Sequence, residues 1–202
     1  MMLAAGIFLI CMLAYLVGSI PTGYWFARYF FNIDVTKYGS GNIGATNVAR
    51  VLGGIKYFFL IFFIDAGKAV TVLWLTKRYV SLAVEWQPHV LCIVAASLLL
   101  GNSFSVFLRG RGGKNVATLF GCIIFLYPLW FVLAVLACWG LIFALTRTVY
   151  IASILAAIAA IVLYWTSAAC NHGLILGIFL SAACFWLIWR HKSNIKQFFA
   201  KG

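Results

Sequence analysis

Four polar clusters interrupt an otherwise apolar chain, and each combines groups suited to holding an anion. The longest is D-V-T-K-Y-G-S-G-N-I-G-A-T-N-V-A-R, from Asp34 to Arg50. Gly39, Gly41 and Gly44 permit positive φ and let backbone amides turn toward a ligand. With Ser40, Asn42, Thr46 and Asn47 between them, the stretch can form a nest of N–H donors for a phosphate or a developing oxyanion. Arg50 can add a bidentate clamp. The competing reading is a membrane-surface loop, in which Gly, Ser and Asn are ordinary turn residues.

The second cluster, R-G-R-G-G-K from Arg109 to Lys114, sets cations beside Gly112 and Gly113, a combination that suits phosphate. It is not a Walker A loop, because Leu108 stands where the first glycine belongs and Asn115 where Ser or Thr belongs. Taken alone, it is more simply read as snorkelling charge at a membrane face. The third cluster, T-R-T-V-Y-I-A-S, ends at Ser153, and the fourth, R-H-K-S-N, holds His191 and Asn194. Their simpler explanations are a helix N-cap and a set of cations at a helix C-terminus. His191 is the one histidine of the three inside a cationic cluster; His89 and His172 are expected at the outer interface. Asp65 and Lys68 lie three residues apart within an apolar run, on one helix face, and are expected to form a packing ion pair.

The elements that must carry these clusters are membrane helices. Of 202 residues, 65% are hydrophobic and only 9% charged, far from the mixture of a soluble domain. Apolar runs lie near Leu3–Arg28, Ile55–Leu75, His89–Leu108, Asn115–Leu126, Trp130–Leu145, Tyr150–Thr166 and Leu174–Trp189. They predict an all-α polytopic integral membrane protein of about seven transmembrane helices, with six as the alternative because the fourth run is short and Pro128 follows it. The first run has no basic residue ahead of it and outlasts a signal core, so it is expected to remain as a span. Residues 1–202 then make a single transmembrane domain.

Charge orients it. With seven spans, twelve of the fifteen Lys and Arg fall in one set of connections, only Lys77 and Arg78 in the other, and Lys68 within a span. The positive-inside bias predicts an N-terminus outside and a C-terminus in the cytoplasm. All four polar clusters fall on that cytoplasmic side. The acidic residues are Asp34, Asp65 and Glu85 alone, which removes most chemistries built on paired carboxylates or carboxylate-bound metals. Six cysteines, Cys11, Cys92, Cys122, Cys138, Cys170 and Cys184, sit in apolar runs without C-x-x-C spacing, so no metal and no cofactor is expected. A basic turn pinned between two spans is a poor nucleic-acid arm, and no nucleic-acid partner is expected.

Several motifs together resemble one family. They are G-S-I-P-T-G at Gly18–Gly23, K-Y-G-S-G-N-I-G-A-T-N-V-A-R at Lys37–Arg50, D-x-x-K at Asp65, R-G-G-K-x-V-A-T at Arg111–Thr118, A-S-I at Ala152–Ile154 and R-H-K-x-N-I at Arg190–Ile195. In order and spacing they resemble the bacterial acyl-phosphate:glycerol-3-phosphate acyltransferases, the PlsY family. The resemblance implies seven membrane helices, a multi-pass protein of the bacterial inner membrane, and an active site facing the cytoplasm. It implies transfer of a fatty acyl group from acyl phosphate to the 1-hydroxyl of sn-glycerol 3-phosphate, the first step of membrane phospholipid synthesis. It places Ser40, Arg50, Lys114, Ser153, His191 and Asn194 in the active site. Gly39, Gly41, Asn42, Gly44, Thr46, Asn47, Gly112 and Gly113 are the implied substrate-binding positions. Its implied partners are the lipid bilayer and the two substrates, and the chain is expected to work as a monomer.

The H-x-x-x-x-D pair used by many other glycerolipid acyltransferases is absent. The chain also departs from the resembled pattern: Asn102 stands in place of histidine, Asn115 in place of a glycine, and Tyr150 in place of a serine. Asn115 tolerates left-handed backbone, and Asn102 hydrogen-bonds but does not titrate. An organic-anion transporter and a noncatalytic protein that binds anionic lipid are the competing classes. A transporter would gather its polar groups at the bilayer midplane, where this chain has only Asp65 and Lys68.

Overall fold

A computed structural model describes residues 2–80, 86–167 and 173–200, side chains of Met2 and Gln197 excepted. Glu85, Cys170, His172 and Lys201 lie outside the described residues. The described elements are helical: α1 (Met2–Ser19), α2 (Thr22–Phe31), α3 (Ala45–Leu52), α4 (Ile55–Tyr79), α5 (Gln87–Ser103), α6 (Val116–Leu126), α7 (Leu129–Thr146), α8 (Val149–Thr166), α9 (Leu174–Arg190) and α10 (Lys192–Phe199). Short 3₁₀ turns occupy Val35–Lys37 and Val106–Leu108. The chain divides into two compact units, residues 1–125 and 126–202.

Four stretches are long and apolar enough to cross a membrane: Ile55–Tyr79, Gln87–Leu108, Leu129–Thr146 and Val149–Thr166. Helices α1 and α2 make a fifth if the bent pair is one span, while α6 and α9 are shorter apolar helices. At 1.5 Å per residue the 11 residues of α6 reach only about 16 Å, half a hydrocarbon core. The apolar runs therefore mark the helices correctly, but length qualifies fewer than seven as spans by themselves.

The first apolar run is not the one helix expected over Leu3–Arg28. It breaks at Ile20–Pro21, and α2 leaves α1 at 42°. Proline has no N–H for the helical ladder and turns its preceding residue away from helical geometry. Lys68 of α4 stitches the break. Its ammonium donates to the carbonyls of Gly18 at 3.3 Å and Ile20 at 3.1 Å, and pairs with the Asp65 carboxylate at 2.8 Å. The Thr22 hydroxyl at the start of α2 donates to the same carboxylate oxygen at 2.8 Å. The intramembrane pair is thus a packing device that serves backbone groups released by a proline.

In the first unit α1 and α5 meet through reciprocal glycines. A Cβ at Gly18 would land on the Leu98 carbonyl, and one at Gly101 on the Tyr15 carbonyl. Such absence of side chains lets membrane helices approach backbone to backbone. Gly121 of α6 lies equally close to the Ala66 carbonyl of α4. In the second unit, α7, α8 and α9 enclose Phe131 and Tyr164, whose hydroxyl donates to the Gly173 carbonyl at 2.7 Å. Large apolar side chains such as Phe63 and Phe185 remain outward on the helix faces, as expected of surfaces that meet lipid.

Candidate active site

The stretch from Asp34 to Arg50 is not wholly loop: its last third is α3, whose N-terminal turn carries Asn47. That side chain is 2% exposed and organises everything before it. Its amide nitrogen donates to the carbonyls of Val35 and Tyr38 at 3.1 Å and Asn42 at 2.8 Å, and its oxygen accepts the Ser40 N–H at 2.9 Å. Gly39, at φ +60°, has no room for a side chain, since a Cβ would strike the Asn47 oxygen and lie 3.5 Å from the Arg50 Cδ. Gly41, at φ +68°, donates its N–H to the Tyr38 carbonyl at 3.0 Å. Gly44 donates to the Asn42 side chain at 2.8 Å.

The amides of Ser40, Gly41 and Gly44 are bonded inside the loop and give it its shape. What the loop presents outward is the exposed Ser40 and the exposed Arg50, whose stem passes Gly39, with Thr46 half-buried on α3. At the loop's entry Asp34 accepts from the Thr36 hydroxyl at 2.6 Å and the Thr36 N–H at 3.0 Å. The Thr36 side-chain bond, aided by the Thr36 backbone bond and the cations Lys37 and Arg28, holds the Asp34 carboxyl below its ordinary range against the opposing effect of desolvation.

The second cluster folds onto the end of α5. Arg109 takes left-handed geometry at φ +52°, and Gly110 returns its N–H to the Ser105 carbonyl at 2.8 Å. Gly112 lies flat on the carbonyls of Asn102 and Ser103, where any Cβ would collide. Gly113 donates its N–H to the Asn102 carbonyl at 2.7 Å. Asn115 has φ +67°, the geometry its residue type allows, and its carboxamide is buried. Its oxygen accepts from the Asn102 amide at 2.6 Å, and its nitrogen donates to the Ser103 hydroxyl at 2.7 Å. Half-buried Lys114 stands between these two anchored residues.

Helix α2 packs against the first cluster and touches the segment that leads into the second. Its Gly23 allows the Ile43 carbonyl and Val48 to approach, and its Ala27 joins Val35, Val48 and Ile61 in a buried cluster. Its Trp25 ring stands 5.3 Å from that of Phe107, just before the basic turn.

Ser153, His191 and Asn194 belong to the second unit. The Ser153 hydroxyl donates to the Val149 carbonyl at 2.9 Å and accepts the Trp139 indole N–H at 3.1 Å, so it ties α8 to α7 and is 4% exposed. His191 ends α9 at 3% exposure, with Nδ1 at 2.8 Å from the Leu187 carbonyl. A carbonyl only accepts, so Nδ1 carries a proton and Nε2 is the ring's other polar atom. Asn194 is half-buried on the first turn of α10, where its N–H donates to the His191 carbonyl at 2.9 Å. Arg147, in the third cluster, is exposed with φ +52°. Sequence reasoning did not single out Ser103 or Ser105. Both are buried, and Ser105 donates to the Ser19 carbonyl of α1. A polar pair at the end of an apolar helix was the available signal.

Known proteins resemble this chain along nearly its whole length. A family model described as glycerol-3-phosphate acyltransferase matches residues 8–201. A glycerol-3-phosphate acyltransferase of Listeria welshimeri is 35% identical over 195 residues, covering 94% of this chain and 91% of that protein. One of Desulforudis audaxviator is 38% identical over 197 residues, covering 97% and 93%. The crystal structure of PlsY, an integral membrane glycerol 3-phosphate acyltransferase, in its glycerol 3-phosphate form matches with a TM-score of 0.85 at 30% identity, covering 97% of this chain and 93% of that one. Its lysophosphatidic acid form matches with a TM-score of 0.83.

Proposed function

This chain belongs to the glycerol-3-phosphate acyltransferase family, and from that premise we propose that it acylates the 1-hydroxyl of sn-glycerol 3-phosphate with an acyl phosphate as donor. The hydroxyl oxygen attacks the acyl carbonyl carbon, the bond from that carbon to the phosphate oxygen breaks, and lysophosphatidic acid and inorganic phosphate leave. The reaction serves phospholipid synthesis. An acyl phosphate is a mixed anhydride with a good leaving group, so the protein's task is to hold two anions in attack geometry and stabilise the departing phosphate.

The observation that carries the reading is the two anchored turns of the first unit, one setting Arg50 beside Gly39 in the Asn47-bound loop and the other setting Lys114 between residues pinned to the end of α5. Both cations sit in a chain with only three acidic residues. In this reading Arg50 and Lys114 hold phosphate oxygens and the Ser40 hydroxyl contacts the donor. Gly39, Gly112 and Gly113 give the two turns their shape. Asn47, Asn42, Gly41 and Gly44 build the first loop, and Thr46 faces substrate. His191 Nε2 or a phosphate oxygen of bound substrate accepts the hydroxyl proton, with Asn194 beside it. Ser153 positions α8. In this reading residues 1–202 serve a single acyltransferase activity, as a monomer in the bacterial inner membrane with its site toward the cytoplasm; the concentration of Lys and Arg in one set of connections supports this orientation.

Labelled glycerol 3-phosphate offered to purified protein with acyl phosphate or with acyl-CoA tests the donor. Acyl phosphate should give turnover at least tenfold faster; equal or faster turnover with acyl-CoA, hydrolysed contaminants excluded, would overturn the donor assignment.

A further inference from the structure

Lys114 is flanked by two residues that are both held by Asn102. On one side the Gly113 N–H bonds the Asn102 main-chain carbonyl at 2.7 Å. On the other, the Asn102 side-chain amide donates to the Asn115 carboxamide oxygen at 2.6 Å. The remaining end of Asn115 donates to Ser103 at 2.7 Å. All three partners are buried: Asn102 at 9%, Ser103 at 0% and Asn115 at 2% exposure. Two buried carboxamides that satisfy one another are worth more than their separate deletions suggest, because either one alone is left with an unpaired polar group.

The backbone adds to this. Asn115 holds φ +67°, a conformation costly for most side chains, and Gly112 and Gly113 lie so close to Asn102 and Ser103 that neither accepts a Cβ without displacement. The turn from Gly112 to Asn115 is therefore fixed at both ends against the last turn of α5.

We propose that Asn102 and Asn115 form a single carboxamide clasp that positions Lys114, making them positioning residues for acyl transfer. The proposal rests on the reading of Lys114 as a phosphate-holding group. Its chemistry is neutral: no proton moves, and the clasp acts by fixing the backbone on either side of the cation.

The test is a double-mutant cycle on purified protein, with rates for acyl phosphate and glycerol 3-phosphate expressed per amount of folded, monodisperse enzyme. Asn115→Gly suits it, because glycine adopts φ +67° freely and only the carboxamide is lost. Asn102→Ala removes the partner amide. Each should lower kcat/KM by fivefold or more, and the double variant should be no worse than the weaker single. Asn115→Asp keeps an acceptor for Asn102 and should recover most of the Asn115→Gly loss. A loss below fivefold for Asn115→Gly, single losses that multiply in the double variant, or a loss wholly accounted for by unfolded protein would each overturn the clasp. Lys114→Ala separates this from the underlying reading: near-parental rates in that variant would sink the phosphate role of Lys114 whatever the asparagines do.

Discussion

Asn47 spends its whole hydrogen-bonding capacity on the loop it closes, so its contribution is structural before it is chemical. Asn47→Ala should destabilise the protein by about 2–3 kcal/mol, the scale of leaving several buried polar groups unpaired. Asn47→Asp should be worse, because a carboxylate would face three carbonyls; thermal unfolding of both variants checks the order. Lys114 gives the opposite pattern. Lys114→Ala should cut acyl transfer at least tenfold while melting remains near parental, and Lys114→Arg should also fall clearly, since a broad planar fork replaces a compact ammonium. Arg109→Lys is the control: Arg109 is exposed, and its replacement should be nearly silent. Asp34 adds a pH dependence. Its carboxyl titrates below the ordinary range when folded, so its stabilisation is complete above that range and fades as pH falls through the lowered value. The stability gap between parent and Asp34→Ala should hold steady from neutrality to about pH 5 and close below about pH 4.

At the scale of elements, the informative feature is the break between α1 and α2. Pro21 marks it in the sequence, but the ammonium that serves the broken end comes from α4, nearly fifty residues later. Lys68→Met should cost about 3–5 kcal/mol, because Asp65 and two carbonyls lose their cation in a low-dielectric setting. Lys68→Met with Asp65→Leu should be less harmful than Lys68→Met alone, since no unpaired charge remains. Unfolding in detergent decides this; a double variant worse than the single would mean the pair acts through something other than mutual neutralisation. Helix α3 illustrates the limit of local reading. A run rich in Gly, Ser and Asn scores as loop, yet its final residues close into a helix because Val48 packs with Ala27, Val35 and Ile61.

For the whole molecule, the uneven distribution of Lys and Arg makes a topological prediction. Reporter tags at the C-terminus should be reached only from the cytoplasm and those at the N-terminus only from outside. Both termini on one side would rule out an odd number of spans, and with it the seven-span arrangement.

Composition alone determined that the chain is a helical membrane protein, because the cost of burying backbone in lipid leaves few alternatives for so apolar a sequence. Spacing alone picked out the loops of Ser40 to Arg50 and Arg109 to Lys114, since glycine, cation and carboxamide patterns are local properties of the chain. The identity of each group's partner was not legible there. That Asn47 faces inward, that Ser153 bonds Trp139, that Lys68 serves the end of α1, and that Asn102 and Asn115 share a hydrogen bond depend on which segments of the chain come within hydrogen-bonding distance of one another. That proximity is set by helix packing through glycines such as Gly18, Gly23 and Gly101, whose closeness to a neighbour appears only when the neighbouring element is in place.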